Sequence, residues 1–492
     1  MNVFIPRSPR LSKSRFLAGL QCDKRLYYEV FCREYAAEKN MQRQAILDMG
    51  KQIGHTARLC FPGGQLVSEG YRQSSAALER TEQLIADPTV SAIFEAAFQY
   101  EGTMIRADIL ERSGEQSWRL LEVKASSRVK AVHRIDLAVQ AYVLQGCGIK
   151  LSQICLMHMN RNYVFQGGEV DLQELFVRED LTEEVLPRFS QIPEQLDHFR
   201  QVLSRDSPPE ISPDSHCHTP YECPFWDHCT KEKSKRWIFY LPGGKDVVKR
   251  MMKQGIEHID EIPSRVKLSE LQQRMKDNVE WVSSDLKQSL DSVRYPVHHL
   301  DFETFMPAIP LYPKTRPYQA VPMQWSNHIE TQDSILRHET YLCTDSRDPR
   351  EELAIALLNS LGKDGSICVY SDYEKYVLTV LAEALPSLRK ELMQLTYRLW
   401  DLLAVIQAHY YHPGFSGSFS IKSVLPTLAP SLSYEDLDIQ NGATVSAMYQ
   451  HMVFTETDWV ERQRIEVALH EYCARDTLGM VELRRVLAEK VQ

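Results

Sequence analysis

Asp108, Glu122 and Lys124 are the residues whose types and spacing first suggest chemistry. They lie in TMIRADILERSGEQSWRLLEVK (103–124), where β-rich runs flank a polar Arg-Ser-Gly-Glu-Gln turn, so the stretch predicts a β-hairpin. Asp108 falls on the first strand and Glu122 and Lys124 near the end of the second. Side chains alternate across a strand, so Glu122 and Lys124 share a face while Val123 points away. Two carboxylates hold a hard cation through oxygen, and a lysine beside them positions or polarises water. That is the minimum set for metal-assisted phosphodiester hydrolysis. Many exposed strands also carry E-x-K as a solvated pair, so the weight must come from the rest of the chain.

A second acidic set lies in the C-terminal half. The β-like run YPVHHLDF leads into Asp301-Phe302-Glu303-Thr304, which puts Asp301 and Glu303 on one side of a strand. Another predicted strand, GSICVY (365–370), runs into SDYEK with Asp372 and Glu374. Near the end, LHEYCARDTLGMVELRRVL has helical spacing and sets Tyr472 and Asp476 one turn apart on one face. A third constellation is sulfur: Cys217, Cys223 and Cys229 stand at C-x5-C-x5-C in HCHTPYECPFWDHC. Thiolates are soft ligands suited to zinc or iron–sulfur. The spacing is wider than zinc knuckles use, but His216, His218 and His228 keep Zn2+ open. A cuboidal cluster needs a fourth thiolate, for which Cys22 is the candidate.

The elements that must position these groups follow from periodicity. LSKSRFLAGLQCDKRLYY (11–28) reads as a basic amphipathic segment, and residues 41–58 as a helix containing Gly50 and His55. After the hairpin a helix carries Asp136 and Gln140 on one face, followed by Tyr142. Residues 151–164 read as a strand pair. Val185, Phe189, Ile192, Leu196, Phe199 and Leu203 read as one helix face, interrupted in pattern by Pro187 and Pro193. SPPEISPD (207–214) is a loop, and 237–292 a helical connector bearing Lys245, Lys249, Arg250 and Lys253 that could line a nucleic-acid channel.

A chain of 492 residues holds two to four domains. Hydrophobic content of 43% and charged content of 25% are those of a soluble globular protein. No apolar run reaches a membrane span, and the N-terminus lacks a signal-peptide core, so a cytoplasmic protein is expected, without a disulfide framework for its eleven cysteines. The net charge of −9 argues against a chain basic all over, not against a local positive groove. Local excess exists: Arg7, Arg10, Lys13, Arg15, Lys24 and Arg25 face Asp23 alone, and residues 231–253 carry eight Lys or Arg against Glu232 and Asp246.

The Asp…Glu-x-Lys hairpin resembles the PD-(D/E)xK nuclease superfamily. With one early and three late cysteines around it, it is similar to the RecB-like nucleases that bracket their core with a 4Fe–4S cluster. That resemblance implies a metal-binding helical histidine (His55), a Gln/Tyr motif after E-x-K that braces the lysine and the DNA (Gln140, with Gln-Ala-Tyr replacing Gln-x-x-x-Tyr), and cluster ligation by Cys22, Cys217, Cys223 and Cys229. The D-x-E-T strand and Tyr-x-x-x-Asp helix resemble the DnaQ-like exonucleases of RNase H fold. There four carboxylates hold two metal ions, which implies Asp301, Glu303, Glu374 (Asp372 in reserve) and Asp476 as Mg2+ or Mn2+ ligands, Tyr472 orienting water, and Asp401 outside the set. The whole chain resembles a bacterial family joining these two nucleases, its C-terminal DnaQ-like domain being of unknown function; FSGSFSIKSVLPTL (415–428) and YCARDT (472–477) carry the likeness there.

The expected fold is α/β: a restriction-endonuclease-like mixed-sheet domain over 1–236, a helical connector over 237–292, and an RNase H-like exonuclease domain over 293–492. The expected activity is metal-dependent hydrolysis of DNA, single strands or ends, in repair, processing or defence. RNA as substrate, or a nucleic-acid-binding subunit with one inactive site, are the alternatives. No Walker-type loop is present, so an intrinsic ATPase is not expected.

Overall fold

The computed structural model describes residues 11–38, 41–243 and 245–491; Arg7, Arg10 and the side chain of Lys245 lie outside them. The chain forms two compact units, Met1–Glu232 with Ala308–Tyr318, and Lys233–Pro307 with Gln319–Gln492.

The first unit opens with β1 (Leu11–Ser12), α1 (Lys13–Gln21), α2 (Asp23–Phe31) and α3 (Met41–Arg58). Then come β2 (Gln65–Leu66), α4 (Ser74–Ala86), β3 (Ala92–Tyr100), β4 (Thr103–Arg112), β5 (Ser117–Lys124), α5 (Ala131–Gly146), β6 (Lys150–Met159), β7 (Phe176–Asp180) and α6 (Ile192–Leu203). The strands make one seven-stranded mixed sheet, ordered β2-β3-β4-β5-β6-β7 with β1 on β4. β3, β4 and β5 form an antiparallel meander, and α5 returns the chain so that β6 runs parallel to β5. Alternation along β5 splits its apolar residues: Leu120 packs with Leu137, Val139 and Leu144 of α5, and Leu121 packs with Ile53 and Ala57 of α3.

The hairpin forms where the sequence places it. The expected strand pair at 151–164 does not: β6 ends at Met159, where Asn160 accepts the Asn162 N–H in a turn, and the partner strand is β7. The apolar face of 185–203 is not one helix either. A 3-10 turn over Leu186–Gln191 carries Pro187, and α6 restarts with Pro193 in its first turn, where a missing N–H costs nothing.

The second unit contains β8 (Trp281–Val282), β9 (Val297–Phe305), β10 (Val321–Glu330), β11 (Leu336–Leu342), α7 (Arg350–Leu361), β12 (Ser366–Val369), α8 (Tyr373–Ala384), β13 (Leu399–Asp401), β14 (Tyr410–Tyr411), α9 (Ile421–Leu428), α10 (Gly442–Phe454) and α11 (Trp459–Glu489). Its five-stranded mixed sheet has the order β11-β10-β9-β12-β13. β9 and β10 and then β10 and β11 are antiparallel, while β12 and β13 run parallel to β9. Leu300 and Phe302 of β9 face the core formed with α7 and α8. Asp301 and Glu303 alternate to the other face, against which α11 packs. The stretch expected as a separate connector, 237–292, belongs to this unit. β8 pairs β14, Glu280 accepts the Tyr410 hydroxyl and binds Lys490 at 2.9 Å, and Trp237 and Ile238 are buried.

Among the described residues, no helix is long and apolar enough to cross a membrane.

Candidate active sites and a thiolate cavity

In the first unit the β4–β5 ladder ends at the Ile109–Leu121 pair. Beyond it the Asp108 carboxylate takes the place of a backbone acceptor, its Oδ2 receiving the Val123 N–H at 2.8 Å. Glu122, buried, receives Lys124 Nζ at 2.5 Å and Lys13 Nζ at 2.8 Å on Oε1, and Gln140 Nε2 at 2.7 Å on Oε2. Asp136 is the second acceptor for all three donors, at 2.6, 3.4 and 3.1 Å. Both lysines therefore bridge Glu122 and Asp136. Burial lifts the Asp108 carboxyl to about 7, with the neighbouring Glu122 adding to it. Burial works against Glu122 too, but the two lysines outweigh it and hold its carboxyl well below the usual range. They are in turn held charged: burial lowers each ammonium, and the carboxylates raise it by more.

The sequence missed Lys13 and Asp136 as members of this cluster; α1 brings Lys13 from 109 residues away. The i,i+4 spacing of Asp136 and Gln140 was its visible signal. Tyr142 points elsewhere, its hydroxyl on Glu101 at 3.0 Å. His55 sits exposed in the last turn of α3 and makes no hydrogen bond or ion pair among the described residues, so the structure does not join it to Asp108 or Glu122.

In the second unit, Asp301, Glu303 and Asp476 each present a ligand atom within 4.8 Å of the others, the one such group of three or more Asp, Glu, His or Cys among the described residues. β9 supplies the first two from the middle of the sheet. α11 supplies Asp476 from within its own buried stripe of Ile465, Leu469, Tyr472, Met480 and Leu483. Tyr434 and Tyr472 both hydrogen-bond Asp476. Cys473 Sγ lies 3.6 Å from Asp301 Oδ2. Burial first, and mutual repulsion second, push Asp301 and Glu303 well above the usual carboxylate range. Asp476 rises only to about 6, because the tyrosine hydroxyls and Lys422 offset its burial. Glu374 opens α8, 3% exposed, with Oε2 lacking any hydrogen-bond partner. Burial lifts it to about 8, and the fields of Asp401, Asp372 and Asp476 add to this. It lies outside the 4.8 Å group. Asp372 is exposed at the start of α8, and Asp401 caps the helix after β13 through the Ala404 N–H. The sequence reading did not single out Tyr434 and Lys422.

Cys22, between α1 and α2, lines one cavity with Cys217, Cys223 and Cys229, together with Lys24, Arg25, Tyr28 and Phe225. No three of these sulfurs lie within 4.8 Å of one another. Burial raises Cys217 to about 11, and the other three thiols add to it. Of the histidines, His216 Nε2 lies 3.6 Å from Cys217 Sγ. His218 is bound to Glu222 at 2.6 Å, and His228 stacks on Tyr35 at 4.0 Å.

Residues 298–420 match a family described as a domain of unknown function (DUF2779); the match covers part of the second unit, from the second residue of β9 past α8, and the Ala308–Tyr318 segment of the first. No curated protein and no solved structure matches the chain.

Proposed function

We propose that this protein is a metal-dependent nuclease that hydrolyses phosphodiester bonds of DNA, single strands or ends, with a candidate site in each unit. The observation that carries the reading is the second-unit cluster: three carboxylates converge, a fourth, Glu374, keeps a partnerless buried oxygen and adds its field to Asp301, and none of the four has an ion pair within 4.0 Å among the described residues. Burial and mutual repulsion make these groups costly to ionise, and a bound cation would relieve that cost. The donor set, all oxygen, suits Mg2+ or Mn2+. Strand order supports an RNase H-like sheet, with its acidic strand central and the first three strands antiparallel. The antiparallel meander followed by α5 and a parallel β6 supports the restriction-endonuclease-like reading of the first unit.

A divalent ion bound at either site supplies Lewis acidity toward the phosphate and an activated water. The chain supplies the rest. Asp301, Glu303 and Asp476 offer its ligands in the second unit, with Glu374 in reach by field. Tyr472 and Tyr434 hydrogen-bond Asp476, and the role proposed for Tyr472 is to orient the attacking water. In the first unit Asp108 and Glu122 are the metal ligands, Lys124 is the water-positioning cation and Gln140 orients Glu122.

For the sulfur site we favour a 4Fe–4S cluster over zinc. Tetrahedral Zn–S bonds of about 2.3 Å put sulfurs roughly 3.8 Å apart, closer than any three thiols here. Two of the three nearby histidines are otherwise engaged. Four thiolates around a shared cavity suit a multi-iron cluster, which would tie α1–α2 to the 217–229 segment structurally.

The test is anaerobic purification and digestion of end-labelled single strands with Mg2+ or Mn2+, beside matched RNA. Lys124→Ala and Asp301→Ala should each remove part of the cleavage, and the double variant should lower the total about a hundredfold or more. Unchanged cleavage in the double variant removes both assignments. A broad absorbance at about 400 nm is expected of thiolate-bound iron–sulfur and not of zinc.

A further inference from the structure

Lys422 is a half-buried cation of the second unit that the carboxylate chemistry leaves without a task. It sits in FSGSFSIKSVLPTL, near the start of α9. Its Nζ lies 4.8 Å from the ring centroid of Tyr472 and 5.3 Å from that of Tyr434, and it donates to the Gln440 carbonyl at 2.6 Å. Those two tyrosines also hold Asp476. The ammonium is thus built into the rim of the acidic cluster by two ring faces and a carbonyl.

It is also held back. Asp476, Glu303 and Asp301 all attract it, yet it makes no ion pair within 4.0 Å among the described residues, and burial lowers its basicity. The first unit shows what charge neutralisation looks like in this chain: Lys13 and Lys124 lie directly on Glu122. Lys422 does not do this. One of its three N–H groups goes to Gln440, leaving donors for an anion that approaches between the tyrosine pair and the carboxylates.

We propose that Lys422 binds a phosphate of the substrate strand, the phosphate being shared between this ammonium and the ion held by the carboxylate cluster. This rests on the nuclease reading of the second unit. A lysine meets a phosphate oxygen as a point charge, so it tolerates any base sequence, and one contact of this kind contributes one released counterion to binding.

The test uses the full chain in an Asp108→Ala, Lys124→Ala background, which removes a metal ligand and the lysine of the first site and leaves the second as the source of cleavage and of Mn2+ binding. Lys422→Met keeps an apolar stem between the rings and removes the charge; Lys422→Arg restores a cation. Binding of a labelled single-stranded oligothymidylate is measured in Ca2+ over a salt series, and cleavage in Mn2+. Lys422→Met should raise Kd about tenfold and flatten the slope of log Kd against log salt by about 0.7. It should lower cleavage while Mn2+ binding, read by calorimetry, persists, and Lys422→Arg should recover part of the affinity. An unchanged salt slope overturns the inference. So does loss of Mn2+ binding, which would make Lys422 a structural support of the carboxylates. Asp301→Ala in the same background separates the two ideas: if it leaves cleavage intact, the reading of the second site has failed, whatever Lys422 does.

Discussion

Glu122 accepts two ammonium groups on Oε1, so an ion approaching Asp108 and Glu122 competes with them for that oxygen. The two lysines are not equivalent. Lys124 lies 2.5 and 2.6 Å from Glu122 and Asp136, whereas Lys13, arriving from α1, lies 2.8 and 3.4 Å from them and is the more loosely held. Lys13 is therefore the displaceable partner, a competitor of the metal. Lys13→Ala, in an Asp301→Ala background that silences the second cluster, should tighten Mn2+ binding about tenfold. That is the equivalent of losing one charge-assisted hydrogen bond of about 1.5 kcal/mol. It should also lower the stability of the metal-free protein, since Glu122 and Asp136 lose a shared partner. Calorimetric titration decides it: Mn2+ affinity that stays the same or weakens would show that Lys13 supports the site rather than competing for it.

Elements differ in how plainly the sequence announced them, and the difference is one of range. The β4–β5 hairpin was legible because its turn chemistry and its alternation are local, and α11 because Ile465, Leu469, Tyr472, Asp476 and Met480 recur at helical spacing. Within that buried stripe Asp476 stands out as a candidate, since a carboxylate on an apolar face needs a reason. Lys13 and Lys422 were not legible as site members: each reaches its partners across the fold, and such a pairing leaves no period to read. The apolar pattern at 185–203 misled for the opposite reason. The buried positions are real, but proline breaks the helix without moving them off the core. Close packing of α9 on α11 offers a direct test at this scale. A Cβ on Gly479 of α11 would stand 2.6 Å from Leu425 Cδ2 of α9, and Leu425 is fully buried. Gly479→Ala should cost about 1–3 kcal/mol by overpacking, and it should weaken second-site cleavage by shifting the helix that carries Lys422. Urea denaturation at equal slope reads the first effect. A variant as stable as the parent would mean that α9 is free to yield.

At the scale of the molecule, the acidic strand cannot be separated cleanly from the first unit. β9 runs into Ala308–Tyr318, which belongs to the first unit, where Ala308 joins the core with Ile53 and Phe94 and Thr315 pairs with Phe165, before the chain returns as β10. Neither unit is a contiguous stretch: the division near 236 falls at 232/233, the boundary at 292 lies inside the second unit, and Ala308–Tyr318 returns to the first. The stability of the whole chain then registers charge at either site, and its pH dependence has a definite sign. Glu374 at about 8 and Asp108 at about 7 hold protons in the folded chain that the unfolded chain has already released. Folded stability from these groups is present at low pH and is lost as pH rises through those values. Buried His298 and His328, both lowered to about 4, act in the opposite sense below about 6.5, where the unfolded chain takes up protons that they refuse. The window in which the carboxylates alone speak is therefore pH 6.5 to 8. Across it, the melting temperature of chelator-washed protein should fall. A fixed Mn2+ concentration, about a hundred times its Kd at pH 8, should add roughly 2.7 kcal/mol there and less at pH 6.5, where protons compete with the ion for the ligands. A melting temperature that climbs through this window without metal, or an equal Mn2+ gain at both ends, would mean that the carboxylates are not charged against one another in the folded chain and that no ion relieves them.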